Sequence, residues 1–351
     1  MTDDAVEIHI PRRGPASILE VLERQLSPPG PGEVRVAIEA AGVAYADIMM
    51  RRGLYSGQSL PVTPGYDFVG RVEGVGPGVA EVTVGERVAG ITVSGSYATR
   101  RNVNAQWLAP APEGVDPARL VAAVLNGVTA WQMFHRIAHA APGEWVLVHG
   151  AAGGVGSLLL DFAKLAGVKA VGTSSSNKAD VVRARGGAPV DYRGEDVAAR
   201  TRALSGGGVV AAFGHVGGKH FKKNSMAALR PGGIGVLYGA YDTTRDGKVN
   251  PLAIADLLIN ASFSSLGLFA KGQGVAAYSS QVWRDARPIA YRRDLATVLK
   301  LVADGAASPL VGATYPLLEA ASAHAALESR SVEGKIVLLT GDRPPAGPAE
   351  I

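Results

Sequence analysis

The chain contains no cysteine. That absence excludes disulfides, thiolate zinc sites, iron–sulfur clusters and a cysteine nucleophile. Apolar runs long enough to span a bilayer, about 18 residues, are also missing. The longest candidate, Pro251 to Phe263, is cut by Asp256 and Asn260, so neither a membrane span nor a membrane partner is expected. The start, Met-Thr-Asp-Asp, lacks the basic and apolar regions of a secretory signal, which predicts a cytoplasmic location. The net charge is only +4 and no basic stripe occurs, so no nucleic-acid partner is expected. Seven histidines are present, His9, His135, His139, His149, His215, His220 and His324. Only His135 and His139 are four apart, and no glutamate completes a metalloprotease motif there. No metal is expected.

What is present fits a globular protein: 351 residues, 47% hydrophobic and 19% charged, with 45 glycines spread through turns. That length suits two domains rather than one core. From Val34 to Ala40, Val34, Val36, Ile38 and Ala40 alternate with Arg35, Ala37 and Glu39, the period of a half-buried strand. Short glycine-punctuated runs continue between residues 65 and 110. They predict a compact, mainly antiparallel β domain.

Near Val121 the character changes. Leu120 to Arg136 reads as helix, Trp145 to His149 as a short apolar strand, and Ser157 to Ala166 as helix. Val168 to Gly172 is the next strand and Asn177 to Arg185 the next helix. Val209 to Phe213 and Ile234 to Tyr238 are further strands, with a helix near Phe221 to Leu229 between them. Strands alternating with helices predict a doubly wound parallel sheet. The β-type stretch Ala261 to Phe269 is expected to close it. Helices at Arg293 to Asp304 and Leu317 to Glu328 and a final strand at Gly334 to Thr340 follow. The tail Asp342 to Ile351 is expected to fray.

The segment most informative about chemistry is Val146 to Gly156, VLVHGAAGGVG. A buried strand leads through Gly150, Gly153, Gly154 and Gly156 into a helix. Glycine lets the chain turn tightly and lets backbone approach a diphosphate, and the helix N-terminus then offers free N–H groups. Set against G-x-G-x-x-G, Ala151 replaces the first glycine while Gly153 and Gly156 match. Dinucleotide binding is predicted. The next strand ends in Thr173, Ser174, Ser175, Ser176, Asn177 and Lys178. No acid stands there to hold a ribose 2′-hydroxyl before Asp180, whereas hydroxyls and a cation suit a 2′-phosphate. The predicted cofactor is therefore NADPH. A serine or asparagine helix cap would use the same residues and is compatible with it.

Taken together, AGVAYADIMMRRGLY at 41–55, the glycine turn HGAAGGVG at 149–156, NGVTAW at 126–131, VDYR at 190–193, LRPGG at 229–233 and EGKIVL at 333–338 resemble the medium-chain dehydrogenase/reductase superfamily. Within it, the chain is similar to the zinc-free quinone oxidoreductase branch, which includes the zeta-crystallins. Zinc-dependent members carry a Gly-His-Glu motif, and here Gly65 is followed by Tyr66 and Asp67. The resemblance covers roughly Val34 to Leu339.

The resemblance implies an α/β architecture in which a Rossmann doubly wound sheet domain, residues 126–269, is inserted in a GroES-like, mainly β substrate domain, residues 1–125 plus 270–351. It implies an NADPH-dependent reductase that passes hydride to a quinone or an activated alkene without zinc. A specialised tailoring reductase and a catalytically weak NADPH-binding protein remain alternatives. Carried over by position, Gly153, Gly154 and Val155 meet the diphosphate, and Ser174, Ser175, Lys178 and Tyr192 surround the 2′-phosphate and adenosine. Thr129, Val216, Gly239, Leu266 and Leu268 lie toward the nicotinamide, and Lys335 lies near the cleft. Tyr45 matches the family's N-Y-x-D tyrosine, a suspected proton donor in related enoyl reductases. The usual asparagine before it is Ala44, and Gly214 stands where an aspartate is usual. Tyr45, Met49, Tyr55, Tyr66, Tyr241 and Phe269 are expected to shape the substrate pocket. A homodimer paired through a strand edge near Ala261 to Phe269 is expected by analogy.

Overall fold

The computed structural model describes residues 4–55, 57–239, 244–245, 248–260, 262–329 and 331–341. Tyr241, Ala261 and the tail from Asp342 to Ile351 lie outside them. The chain divides into two units. One comprises Met1–Val128, Ser280–Gly305 and Pro309–Ile351, the other Thr129–Ser279 with Ala306–Ser308. Among the described residues no single helix is long and apolar enough to cross a membrane.

The first unit is built on a seven-stranded sheet. Its strands run in the order Val311–Pro316, Lys335–Leu339, Glu33–Val43, Asp67–Val75, Arg87–Ile91 and Leu108–Pro110, and Arg100–Asn104 pairs additionally with Glu33–Val43. All these pairings are antiparallel except that of Val311–Pro316 with Lys335–Leu339. Of the alternation read from residue 34 onward, Val34, Val36 and Ile38 are in the core with Phe68, Val72, Val88 and Leu338, while Ala37 and Glu39 are half-buried; Arg35 departs from it by being buried, and burial is continuous from Ala40 to Val43. Bulges at Arg35/Val36 and Ile38/Ala40 bend this strand. The helix Pro288–Ala303 buries Tyr291, Leu295, Val298, Leu299 and Val302, one stripe at three- and four-residue spacing.

The second unit is a six-stranded sheet, parallel throughout, in the order Ala188–Asp191, Lys169–Ser174, Trp145–Val148, Val209–Gly214, Leu229–Leu237 and Gly274–Ala277. Its inner strands are apolar runs rather than alternating ones, because helices cover both faces. The winding direction reverses between Trp145–Val148 and Val209–Gly214. In such sheets a ligand crevice opens outside the carboxyl ends of the strands at that point.

One expectation needs correction. The described part of the stretch Ala261 to Phe269 is not a strand. Residues Ser265–Lys271 form a helix, N-capped by Ser264, whose Oγ accepts from Gly267 N at 3.2 Å, and closed by Gly272 at φ +57. A capping serine and a left-handed glycine set the helix ends, and an apolar run between them is compatible with either element. The sheet is closed instead by Gly274–Ala277. A dimer paired through a strand edge at residues 261–269 accordingly loses its structural basis. The helix expected near Phe221 to Leu229 is present as a continuous helical segment that passes from Gly218–His220 through the wider turn Phe221–Ser225 to the tighter turn Met226–Ala228.

Candidate functional site

The glycine turn occupies the reversal point. The strand Trp145–Val148 ends at His149, Gly150 adopts φ +61, and the helix Gly154–Leu165 begins after Gly153. A Cβ on Gly156 would strike the Gly150 carbonyl and come within 2.7 Å of Ala151 Cα, so only glycine lets this helix approach the strand. At the helix start, Gly153 offers no side-chain cap and the first turn contains no acidic residue. The N–H groups of Gly154, Val155 and Gly156 thus point out of a positive helix end with no built-in anion. That is a seat for a diphosphate.

His149 supplies an independent observation beside it. Gly150 N donates to Thr173 Oγ1 at 3.1 Å, and the Thr173 hydroxyl lies 3.4 Å from His149 Nδ1. With its oxygen already accepting, the hydroxyl directs its proton to Nδ1, which leaves the proton of His149 on Nε2. That Nε2 is buried and has no partner. Burial, then the neighbouring His220 and His215, push His149 down to about 3, so it stays neutral. Its ring is edge-on to His220 at 5.5 Å, and the His215 ring lies against Gly150. Three histidines far apart in sequence thus share the carboxyl end of this sheet. Among the described residues no group of three His, Cys, Asp or Glu side chains could hold a metal. His135 and His139 do not act together: His135 stacks on Trp131 at 3.9 Å, and His139 terminates the helix at φ +48.

The other predicted cofactor residues are distributed as follows. Ser174 and Ser175 are buried at the end of Lys169–Ser174, with hydroxyls donating to Ser175 O and Asn177 Oδ1. Lys178 closes the turn after them. Asp180, the first acid, is 96% exposed and paired with Arg183. Tyr192 follows the neighbouring strand, its N donating to Ser174 O at 3.3 Å, with Arg193 over its ring. Val216 and Gly239 follow the ends of two further strands, Tyr238 N bonds Gly214 O, and a Cβ on Gly239 would lie 3.0 Å from His215 O. Thr129 is buried on the helix Pro117–Met133. One carboxyl edge therefore collects the glycine turn, Ser174, Ser175, Lys178, Tyr192, Val216 and Gly239.

The remaining three have other surroundings. Leu266 and Leu268 sit on the helix Ser265–Lys271, Leu266 exposed and Leu268 packed on the core. That helix ends at Gly272, whose carbonyl accepts from Gly232 N at the amino end of the sheet, opposite the cofactor edge. Lys335 belongs to the first unit, where its ammonium pairs with Asp67.

In the first unit, Tyr45 opens the short helix Tyr45–Arg51 and is partly exposed. Sequence reading missed the buried network beneath it. Asp47, fully buried, accepts from Ala44 N at 2.8 Å, Gly65 N at 2.9 Å and the Tyr97 hydroxyl at 3.2 Å. Tyr97 also meets His324 Nε2 at 3.2 Å, and Arg51 Nε donates to His324 Nδ1 at 3.3 Å. Since Nδ1 accepts, Nε2 carries the proton, and the donors run one way: Arg51 to His324 to Tyr97 to Asp47. Arg51 in turn pairs with Glu328 at 2.6 Å. Burial pushes Asp47 up to about 7, partly offset by its backbone donors, and pushes His324 down to about 3. Above this network the Tyr55 and Tyr66 hydroxyls meet at 3.3 Å. No spacing in the sequence foretells these contacts, which join residues as far apart as Arg51 and Glu328.

Comparison with known proteins bears on both units. Residues 30–113 match the alcohol dehydrogenase GroES-like domain, and residues 187–338 match the family described as zinc-binding dehydrogenase. The chain is 32% identical to a 2-haloacrylate reductase from Burkholderia sp over 332 residues, covering 90% of this chain and 93% of that protein. It is 30% identical to a quinone oxidoreductase from Pseudomonas aeruginosa, covering 95% and 99%. Its structure resembles the Escherichia coli quinone oxidoreductase complexed with NADPH, with a TM-score of 0.80, 28% identity and coverage of 95% and 99%.

Proposed function

The chain belongs to the zinc-free quinone oxidoreductase branch of the medium-chain dehydrogenase/reductase family, and from that premise we propose that it reduces a quinone or an activated alkene with NADPH. It is an NADPH-dependent reductase; the acceptor class is the proposal. The observation that carries the cofactor reading is the uncapped, acid-free helix start at Gly154, seated at the sheet's reversal point beside the unpartnered His149 Nε2–H.

When bound, NADPH supplies the hydride. The amides of Gly154, Val155 and Gly156 hold the diphosphate. Ser174, Ser175 and Lys178 hold the 2′-phosphate, which an acid at these positions would repel. Tyr192 flanks the adenosine, and Thr129, Val216 and Gly239 line the path toward the nicotinamide. These assignments rest on position at one sheet edge, except that of Thr129, which rests on the family resemblance. Tyr45, or a water, gives the proton that completes the reduction. Without a Lewis acid on an alcohol or carbonyl oxygen, the acceptor must delocalise the charge that hydride brings, as a quinone or a conjugated alkene does. The 2-haloacrylate reductase and quinone oxidoreductase relatives act, by their names, on acceptors of that kind.

The test is NADPH oxidation followed at the nicotinamide absorbance with a panel of quinones, enones and saturated ketones. Turnover of quinones or enones without turnover of saturated ketones is expected. Tight NADPH binding with no turnover across the panel overturns the reading.

A further inference from the structure

We propose that the outer face of the helices Pro251–Asn260 and Ser265–Lys271 seats this protein on an anionic lipid surface. The docking stands on the second unit alone and does not rest on the reductase reading.

The sequence predicts no membrane partner because Asp256 and Asn260 interrupt the apolar run. In the structure both are spent on the protein itself. Asp256 Oδ2 accepts from Lys219 N at 2.8 Å, and its Oδ1 accepts from Asn260 Nδ2 at 2.8 Å. What the first helix leaves to solvent is apolar: Leu252, Ala255, Leu258 and Ile259, at three- and four-residue spacing. The second helix packs Leu268 on the core and directs Leu266 and Phe269 outward. The five large apolar side chains are between 73% and 84% exposed. A surface helix ordinarily does the reverse and gives its polar face to water. Apolar groups clustered in this way mark a docking face for a protein or a membrane.

The charges beside this face decide between the two. The segment Gly218–Ser225 is bonded to the first helix through Lys219 N and Asp256, and it carries Lys219, Lys222 and Lys223. Lys222 Nζ stands over the Phe263 ring at 5.4 Å, and Lys271 ends the second helix. The ammonium groups of Lys219, Lys223 and Lys271 meet no acid among the described residues. Asp256 is the one acid among the described residues from 217 to 271. Protein interfaces are depleted of lysine, whose hydrated ammonium and flexible stem are costly to fix. A lysine at the level of lipid headgroups keeps its water and its freedom while the anionic surface attracts it.

The shape agrees with the charge. The two helices meet at 70°, and their large side chains protrude. A bilayer closes around such side chains without needing a complementary surface, the apolar groups entering the acyl boundary and the lysines remaining among the phosphates. With 10 and 7 residues the helices are too short to cross, so the protein lies on the surface. Joined to the reductase reading, the docking also brings the enzyme to long-tailed quinones, which dissolve in the bilayer.

The experiment sediments the full chain with vesicles of phosphatidylcholine alone, and of phosphatidylcholine and phosphatidylglycerol in equal parts, at low and high salt. Tighter binding to the anionic vesicles, weakened by salt, is expected. Leu258→Ser combined with Ile259→Ser should weaken it by about a hundredfold, as two large side chains lose their burial in lipid. Lys222→Gln combined with Lys223→Gln should weaken it by about twentyfold and reduce the salt dependence. Melting temperature should hold in both variants, since none of these side chains is buried. Absent binding, equal binding to the two kinds of vesicle, or binding indifferent to both variants overturns the proposal. So does a dimer in solution that Leu258→Ser with Ile259→Ser turns into a monomer while the unaltered protein ignores anionic vesicles, which gives the face to a second copy. Docking without turnover of any quinone or enone supports the proposal and removes the reductase reading.

Discussion

Asp67 and Lys335, 268 residues apart in the chain, form a buried ion pair, with Nζ 3.1 Å from Oδ1 and 3.2 Å from Oδ2 and neither side chain more than 5% exposed. Asp67 also accepts from Leu125 N at 3.1 Å. The pair ties the strand Asp67–Val75 to the strand Lys335–Leu339 across Gly42, where a Cβ would collide with both side chains.

Lys335→Met should therefore destabilise the protein, because it leaves the Asp67 carboxylate buried without its cation. A cost of about 3–5 kcal/mol is expected in denaturant unfolding. Adding Asp67→Asn should recover part of it. NADPH affinity, measured by calorimetry on the folded variant, should not change. A loss of affinity at unchanged stability would return Lys335 to the cofactor site.

Stability should fall on acidification, and two histidines set the window. His149 and His324 are held near 3 in the folded protein, against about 6.5 when unfolded. Their folded pKa values are depressed, so the unfolded state binds protons first. Their contribution is complete above about 6.5 and is lost as pH falls toward 3. Asp47 works the other way. Its folded pKa is raised to about 7, so the folded state keeps its proton and stability from this group declines as pH rises from about 4 to 7. Two groups against one leave a net loss toward acid. Melting curves between pH 4 and 8 should show it, and His324→Gln should flatten the slope. An unchanged slope would mean that His324 is not held neutral by burial.

Cofactor choice should depend on the turn after Lys169–Ser174. Lys178→Ala should weaken NADPH by about tenfold while leaving NADH untouched, since only the former carries the 2′-phosphate. Ser175→Asp should reverse the preference. Calorimetry with both nucleotides checks this, and equal losses for the two would remove these residues from the phosphate site.

Much of the second unit was legible in sequence. The apolar strand, the glycines at 150 to 156 and the following helix are local features, and each needs only nearby residues to be recognised. The acid-free end at Ser174 and Ser175 is local in the same sense. The stretch from residue 261 to Phe269 was misread because apolar residues suit either element, and what settles the matter is a cap at Ser264 and a left-handed glycine at Gly272. The site of the first unit was scarcely legible. Tyr55 and Tyr66 could be named as pocket aromatics, but their shared hydrogen bond depends on a turn, a strand and a positive φ at Gly65. His149, His215 and His220 looked unrelated because a parallel sheet brings together strand ends that are dozens of residues apart.

The central strand Glu33–Val43 has Lys335–Leu339 on one side and Asp67–Val75 on the other. An early segment of the chain thus waits for one of the last before its hydrogen bonds are filled. The helix Tyr45–Arg51 waits likewise for His324 and Glu328. The second unit draws almost entirely on one continuous stretch, Thr129–Ser279. As the polypeptide leaves the ribosome, the nucleotide-binding sheet can therefore close while the other sheet still lacks an edge. The backbone edge at residues 40 to 43 stays open for that interval, which makes the half-made chain the form most prone to aggregate.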